Sequence, residues 1–236
     1  MDVIYEDNHI LIAIKPQNIP SQADVSLDDN MVSMAKSYLK EKYDKKGNIY
    51  LGLVHRLDRP TGGVMVLAKT GKAAARLSES IQTNKFNKVY LCVVNGVVAE
   101  NKGKLVNHLK KHARTNVVEV VPEFTTGAKR AEIEYIVLDR KQKVTLLAVK
   151  LKTGRSHQIR EQLKHIGHSV YGDVKYGGDV LAKGHNLALW SYKLVFFHPT
   201  TQEKCSYAVF PPDTVPWNVF NIDMLVNRIG FDSDEI

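Results

Sequence analysis

From Phe86 onward the chain is a succession of short apolar or alternating segments, and this pattern most limits what it can fold into. Val89 to Val94, Val117 to Val121, Ala131 to Leu138, Val144 to Leu151, Leu187 to Phe197 and Ser206 to Phe210 each read as a strand. Ala131-Glu132-Ile133-Glu134-Tyr135 alternates strictly, as antiparallel sheet with one wet face does. Two earlier strands run from His9 to Ile14, stopped by Lys15-Pro16, and from Gly63 to Ala68. Three helical stripes interrupt them. Met31, Ala35, Tyr38 and Leu39 mark one between Asp28 and Tyr43, with Asp28 and Asp29 in its first turn and Lys40 and Lys42 in its last. Thr70 caps a second, with Ala73, Ala74, Leu77 and Ile81 on one face. Ile159, Leu163 and Ile166 mark a third, capped by Ser156 and ended by Gly167. No Ser/Gly/Pro-rich linker and no repeat divides the chain. The expected fold is α+β: one domain over 1–225 around a mixed, mostly antiparallel sheet flanked by a few helices and loops, with a frayed tail at 226–236.

Charge is distributed unevenly. Residues 55–185 carry 24 Lys/Arg against 11 Asp/Glu, whereas the segments on either side are slightly acidic. A local basic excess attracts phosphate-bearing partners and points to nucleic acid. The longest apolar runs are too short to span a bilayer, and the N-terminus lacks the pattern of a secretion signal. Cys92 and Cys205 have no metal-type spacing and read as two buried free thiols in a reducing cytosol. The expected location is therefore cytoplasmic.

Two segments carry candidate chemistry. His55-Arg56-Leu57-Asp58-Arg59-Pro60-Thr61-Gly62-Gly63 sets one carboxylate between two arginines, at a turn that feeds an apolar strand. Thr153-Gly154-Arg155-Ser156-His157-Gln158-Ile159-Arg160 is a second cationic cluster, placing Arg155 near the start of the third helix. A helix N-terminus favours anionic neighbours. Together the segments describe a site that binds a polyanion and uses one aspartate covalently. Lys110, Lys111, His112 and Arg114 form a further basic run, read as a loop that is either solvated or in contact with nucleic acid.

His55-Arg56-Leu57-Asp58 with Thr61-Gly62-Gly63 resembles the signature of the RluA-type pseudouridine synthases. Asp7 to Pro16, Lys88-Val89-Tyr90, Thr153 to Arg160, Gly172-Asp173-Val174-Lys175-Tyr176-Gly177 and Phe197-His198-Pro199-Thr200 match further motifs in the family's order. The resemblance covers about residues 4 to 210. It implies the pseudouridine synthase fold and isomerisation of uridine to pseudouridine in ribosomal or transfer RNA, with no cofactor and no metal. By resemblance, Asp58 is the catalytic aspartate, Arg155 its partner, and Tyr90 the tyrosine that packs on the uracil and relays the C5 proton. Ile159 lies on the base's other side, and Arg56 fills the stack vacated by the flipped nucleotide. Leu57 and Thr61 belong to the same substrate-binding segment, and His55 and His157 are read as hydrogen-bonding supports rather than metal ligands. Breaking a glycosidic bond develops oxocarbenium character that a carboxylate can stabilise or capture. Attack at the sugar, a glycal route and attack at the base all stay open.

The chain departs from the family pattern at Gly62, where Ser is usual, at Asn18, where Gly is usual, at Ser169, where Pro is usual, and at Glu161-Gln162. The first motif begins near residue 7, so an N-terminal S4-type domain is not expected and RNA affinity falls to the catalytic domain. The expected partner is an RNA stem-loop, bound by a monomer without membrane or metal. The competing readings are a non-catalytic RNA-binding protein on the same scaffold, and a glycosidic hydrolase needing a second acid for which Glu161 and Asp173 are the nearest offers.

Overall fold

The computed structural model describes residues 1–23, 28–177 and 184–231. In chain order the elements are β1 (Val3–Glu6), β2 (Ile10–Lys15), α1 (Met31–Lys42), β3 (Gly52–Leu53), β4 (Gly62–Ala68), α2 (Gly71–Gln82), β5 (Phe86–Asn95), β6 (Lys102–His112), β7 (Val117–Val121), β8 (Lys129–Arg140), β9 (Val144–Leu151), α3 (Gln158–His165), β10 (Leu189–Phe197), β11 (Lys204–Ala208) and α4 (Ile222–Leu225). Two short 3-10 turns flank α4. The fold is α+β with a mixed, mostly antiparallel sheet and, among the described residues, four α-helices, in line with the strand pattern. The chain separates into two compact units: Met1–Lys88 with Ser191–Val209, and Val89–Trp190 with Phe210–Glu235.

In the first unit the strands run β1-β2-β4-β10, with β3 added to β4 and β11 to β10. All seven residues of β4 are buried because a helix covers each face. Ala73 and Leu77 of α2 pack on Ile10, Ile12, Val64 and Val66, while Ala35 of α1 packs on Leu11 and Leu67. Successive residues of β2 thus face opposite helices, as a two-residue period requires. Thr70 caps α2 by accepting from the Ala73 amide. α1 starts later than the charge pattern predicts. Asn30, whose side chain accepts from the Ser33 amide, is its cap, so Asp28 and Asp29 lie ahead of the helix. A side-chain carbonyl that can be shared with an orphan N–H fixes a helix start more sharply than two carboxylates favoured by the dipole alone. Cys205 is only half-buried, unlike Cys92, because β11 pairs with β10 alone and leaves it a wetter position.

In the second unit the order is β5-β9-β8-β6-β7, each pair antiparallel. The basic run at Lys110, Lys111 and His112 is not a loop. It is the end of β6, and only Arg114 lies in the turn before β7. β6 escapes recognition because it carries few apolar residues. One face is wet, and on the other the polar Asn107 sits between Leu105 and Leu109 to accept from the buried amide of Gln162 on α3. Further along, Phe231 is buried with the Lys150 ammonium 5.7 Å from its ring centre. Residues 232–236 of the expected frayed tail lie outside the described residues.

Among the described glycines of the first unit, Gly63 has the least room for a side chain. Its φ is +119°, and a Cβ there would lie 2.3 Å from the Ser191 carbonyl oxygen on β10. Gly63→Ala is expected to destabilise the fold by more than about 3 kcal/mol, through strain and overpacking together. An unchanged urea midpoint for this variant would refute that account.

Candidate active site

In the first unit, the loop from His55 to Thr61 leaves β3 and enters β4, and polar groups from the β2 exit hold it. The Ser21 hydroxyl donates to the Leu57 carbonyl (2.8 Å) and accepts from the Leu57 amide (3.0 Å), so one side chain satisfies both backbone groups of a buried residue. The Lys15 ammonium, fully buried, donates to the carbonyls of Pro16, Ile19 and Arg59. Burial draws its pKa down to about 7; the Asp58 carboxylate opposes that fall and Arg59 adds to it. Gln17 donates to the Pro60 carbonyl, and Arg59 to the carbonyl of Asn18, which has a positive φ of 66°. Arg59 also pairs with Asp28. The Thr61 amide donates to the Asp58 carbonyl (2.9 Å), closing the turn. Asp58 is thus half-exposed between two residues whose backbones are fixed. Arg56 is exposed and makes no hydrogen bond or ion pair among the described residues.

His55 is a structural support. Its Nε2 accepts from the Val66 amide (3.1 Å), so the remaining proton sits on Nδ1. Burial, reinforced by the nearby Lys88 charge, pulls the imidazole down to about 3. It is therefore neutral at physiological pH.

In the second unit, Tyr90 is buried on β5 opposite Val149. The loop before α3 is tied to β8 through Gln158. Its side-chain oxygen accepts from the Arg155 amide and the Thr153 hydroxyl (both 2.9 Å), and its side-chain nitrogen donates to the Glu132 carbonyl. Ser156 does not cap α3. His157 precedes the helix in left-handed conformation (φ 49°) without capping it, because Gln158 already occupies the loop amide. Arg155 is exposed, with Nε donating to the Arg130 carbonyl (3.0 Å). His157 Nδ1 lies 2.7 Å from the Tyr176 hydroxyl, which also accepts from the Val118 amide. Ile159 is buried on α3, whereas Ile166 lies beyond the helix end and is exposed.

The predicted residues therefore fall in two sets: His55, Arg56, Leu57, Asp58 and Thr61 in the first unit, and Tyr90, Arg155, His157 and Ile159 in the second. The supports that sequence reasoning passed over are Ser21, Lys15 and an ion pair inside the second unit. Arg160 binds Asp173 through two bonds (2.7 and 2.6 Å), both side chains almost fully buried, with the guanidinium stacked 4.9 Å from the Tyr176 ring centre. Asp173 and Glu161 are thus engaged as structural acceptors, Glu161 taking the Val120 amide. Lys15, Arg160 and Asp173 had an advance signal in their place inside the motif segments; Ser21, outside them, had none. Among the described residues no group of three His, Cys, Asp or Glu is arranged to hold a metal ion, and no helix is long and apolar enough to cross a membrane.

The His55 environment fixes a pH dependence. The unfolded chain binds a proton near pH 6.5 that the folded state refuses until about pH 3. Stability is therefore complete above 6.5 and falls as pH drops below it. Between pH 6.5 and 5, above the carboxylate range, a His55→Gln variant is expected to show a shallower loss than wild type in urea titrations. Parallel slopes would contradict the assignment. Ser21→Ala, which strips both partners from Leu57, is expected to lose about 1–3 kcal/mol and to reduce turnover; an unchanged denaturation midpoint would count against the pinning.

The RNA pseudouridylate synthase family model matches residues 9–165. An uncharacterized RNA pseudouridine synthase of Aquifex aeolicus (strain VF5) is 34% identical over 227 residues, covering 91% of this chain and 70% of that protein. The ribosomal large subunit pseudouridine synthase D of Haemophilus influenzae is 30% identical, covering 98% of this chain and 74% of that protein. Among solved structures, human RNA pseudouridylate synthase domain containing 4 shares the fold with a TM-score of 0.75 at 21% identity, covering 89% and 88% of the two chains. With the Asp58 loop and the segment before α3 both inside the matched region, the chain belongs to the RNA pseudouridylate synthase family.

Proposed function

We propose that this protein isomerises specific uridines to pseudouridine in structured ribosomal or transfer RNA, acting as a cytoplasmic monomer with Asp58 as its catalytic carboxylate. The observation that carries the reading is the Asp58 loop itself. A half-exposed carboxylate is held on a doubly pinned backbone at the head of a buried strand, within the span that matches the family. A rigid mount suits a group that must meet one reacting atom.

In the reaction the bond between C1′ and N1 breaks, the uracil turns, C1′ joins C5, and the C5 proton is lost while N1 gains one, so composition is unchanged. Asp58 stabilises or captures the electron-poor C1′. Arg155 is taken, from the family resemblance, as its cationic partner. Tyr90 and Ile159 pack on the uracil, Tyr90 also serving the C5 proton. Arg56, free of partners among the described residues, is available to replace the flipped base in the RNA stack. His55, Leu57, Thr61 and His157 shape and support the site. The named relatives that act on the ribosomal large subunit make ribosomal RNA the first substrate to try.

The test is tritium release from RNA labelled at uracil C5, run for wild type and Asp58→Asn. Wild type is expected to release tritium without free uracil. Asp58→Asn is expected to lose turnover by at least about 10³-fold while keeping its fold and RNA affinity. Turnover near wild type in the variant would end the catalytic assignment. Salt-sensitive RNA binding by both proteins, with pseudouridine formed on no RNA, would favour the non-catalytic reading.

A further inference from the structure

Lys88 ends the first unit, as the third residue of β5. It is half-buried, and burial pulls the pKa of its ammonium down. Among the described residues it has no hydrogen-bond or ion-pair partner. Other lysines of this unit that lose water are compensated. Lys15 has three carbonyls, and Lys69 has the Glu6 carboxylate and the Asp7 carbonyl. Among the described residues no carboxylate pairs with Lys88.

Its position relates it to the Asp58 loop. Phe86, two residues before Lys88 on β5 and so on the same face of the strand, has its ring centre 5.9 Å from that of His55, three residues before Asp58. His55 is neutral and so does not compete for an anion. The same loop also contains two buried polar atoms, His55 Nδ1 and Thr61 Oγ1, that meet no polar partner among the described residues. A desolvated cation without an acceptor is unfavourable in the free protein and favourable once an anion arrives. Its partial exposure leaves a path for one.

From this cluster we infer that Lys88 is an anion-binding residue of the site, which takes a backbone phosphate of the RNA beside the uridine presented to Asp58. The inference rests on the isomerase reading for the identity of the RNA. An ammonium is a compact point charge that suits one phosphate oxygen and carries no base preference. Its contact forms on binding and persists through the reaction, so it belongs to KM rather than kcat.

The test uses the Asp58→Asn protein with and without Lys88→Met, binding a fluorescent stem-loop RNA with uridines in its loop, across a salt series. Lys88→Met is expected to weaken binding about tenfold and to lower the slope of log affinity against log salt by about 0.7–0.9, one phosphate contact. In the Asp58 background, KM is expected to rise about tenfold with kcat within about threefold, and Lys88→Arg to keep the parental slope. The melting temperature of Lys88→Met should be equal to or above the parent's, since an uncompensated charge has been removed. A slope parallel to the parent's overturns the inference, and a lowered melting temperature with that parallel slope makes Lys88 a packing residue instead. Because the slope is read from binding, the measurement stands even if tritium release fails and the isomerase reading falls.

Discussion

The buried ammonium of Lys15 is the interaction on which the Asp58 loop depends. It sits at the last residue of β2 and gathers three carbonyls, two from the strand's own exit and one from Arg59, the residue after the aspartate. A lysine so enclosed loses its hydration, and burial lowers its pKa accordingly. The carbonyls and the Asp58 charge oppose that loss. The exchange stiffens a turn that is also held by the Thr61 amide on the Asp58 carbonyl and by Gln17 on the Pro60 carbonyl. Ser21 fixes the other side of the aspartate through Leu57. Asp58 is thereby mounted on backbone that is fixed on both sides.

The second unit solves the same problem with a different set of groups. Its candidate loop precedes α3, and α3 is anchored by Arg160 on Asp173. Desolvating two charges is unfavourable unless their geometry is good and the remaining lone pairs are used. Here Asp173 also accepts the amides of Lys175 and Tyr176, and the guanidinium lies over the Tyr176 ring. The Tyr176 hydroxyl in turn orients His157, two residues from Arg155. Gln158 and Gln162, both buried, complete the anchoring by binding backbone carbonyls of β8 and β6. The departure from the family pattern at Glu161-Gln162 is thus absorbed into structural hydrogen bonds.

These supports explain how residues without chemistry of their own affect the site. Most of the polar groups near the two loops are bonded to backbone, where they set position. The exceptions are informative. Arg56 and Lys88 have no partners among the described residues, and both lie near Asp58 in the chain or through His55. Cations left in that state are matched by the phosphates of the proposed substrate.

The sequence by itself determined the strands with strong apolar or alternating patterns, the Thr70 cap, the Gly167 helix end and the segments that carry the candidate chemistry. Those features are local: a period, a cap or a turn is encoded within a few residues, and the family motifs are contiguous. Other features were decided by tertiary structure. β6 is a strand because β7, β8 and α3 supply its partners, although its own composition reads as a basic loop. The start of α1 and the entry to α3 were settled by side chains, Asn30 and Gln158, that reached backbone groups first. Ser21 on Leu57, Lys15 on Arg59 and Arg160 on Asp173 join residues from 13 to 44 positions apart. A hydrogen bond to a distant carbonyl leaves no period in the sequence, because its partner is brought near only when the core between them packs.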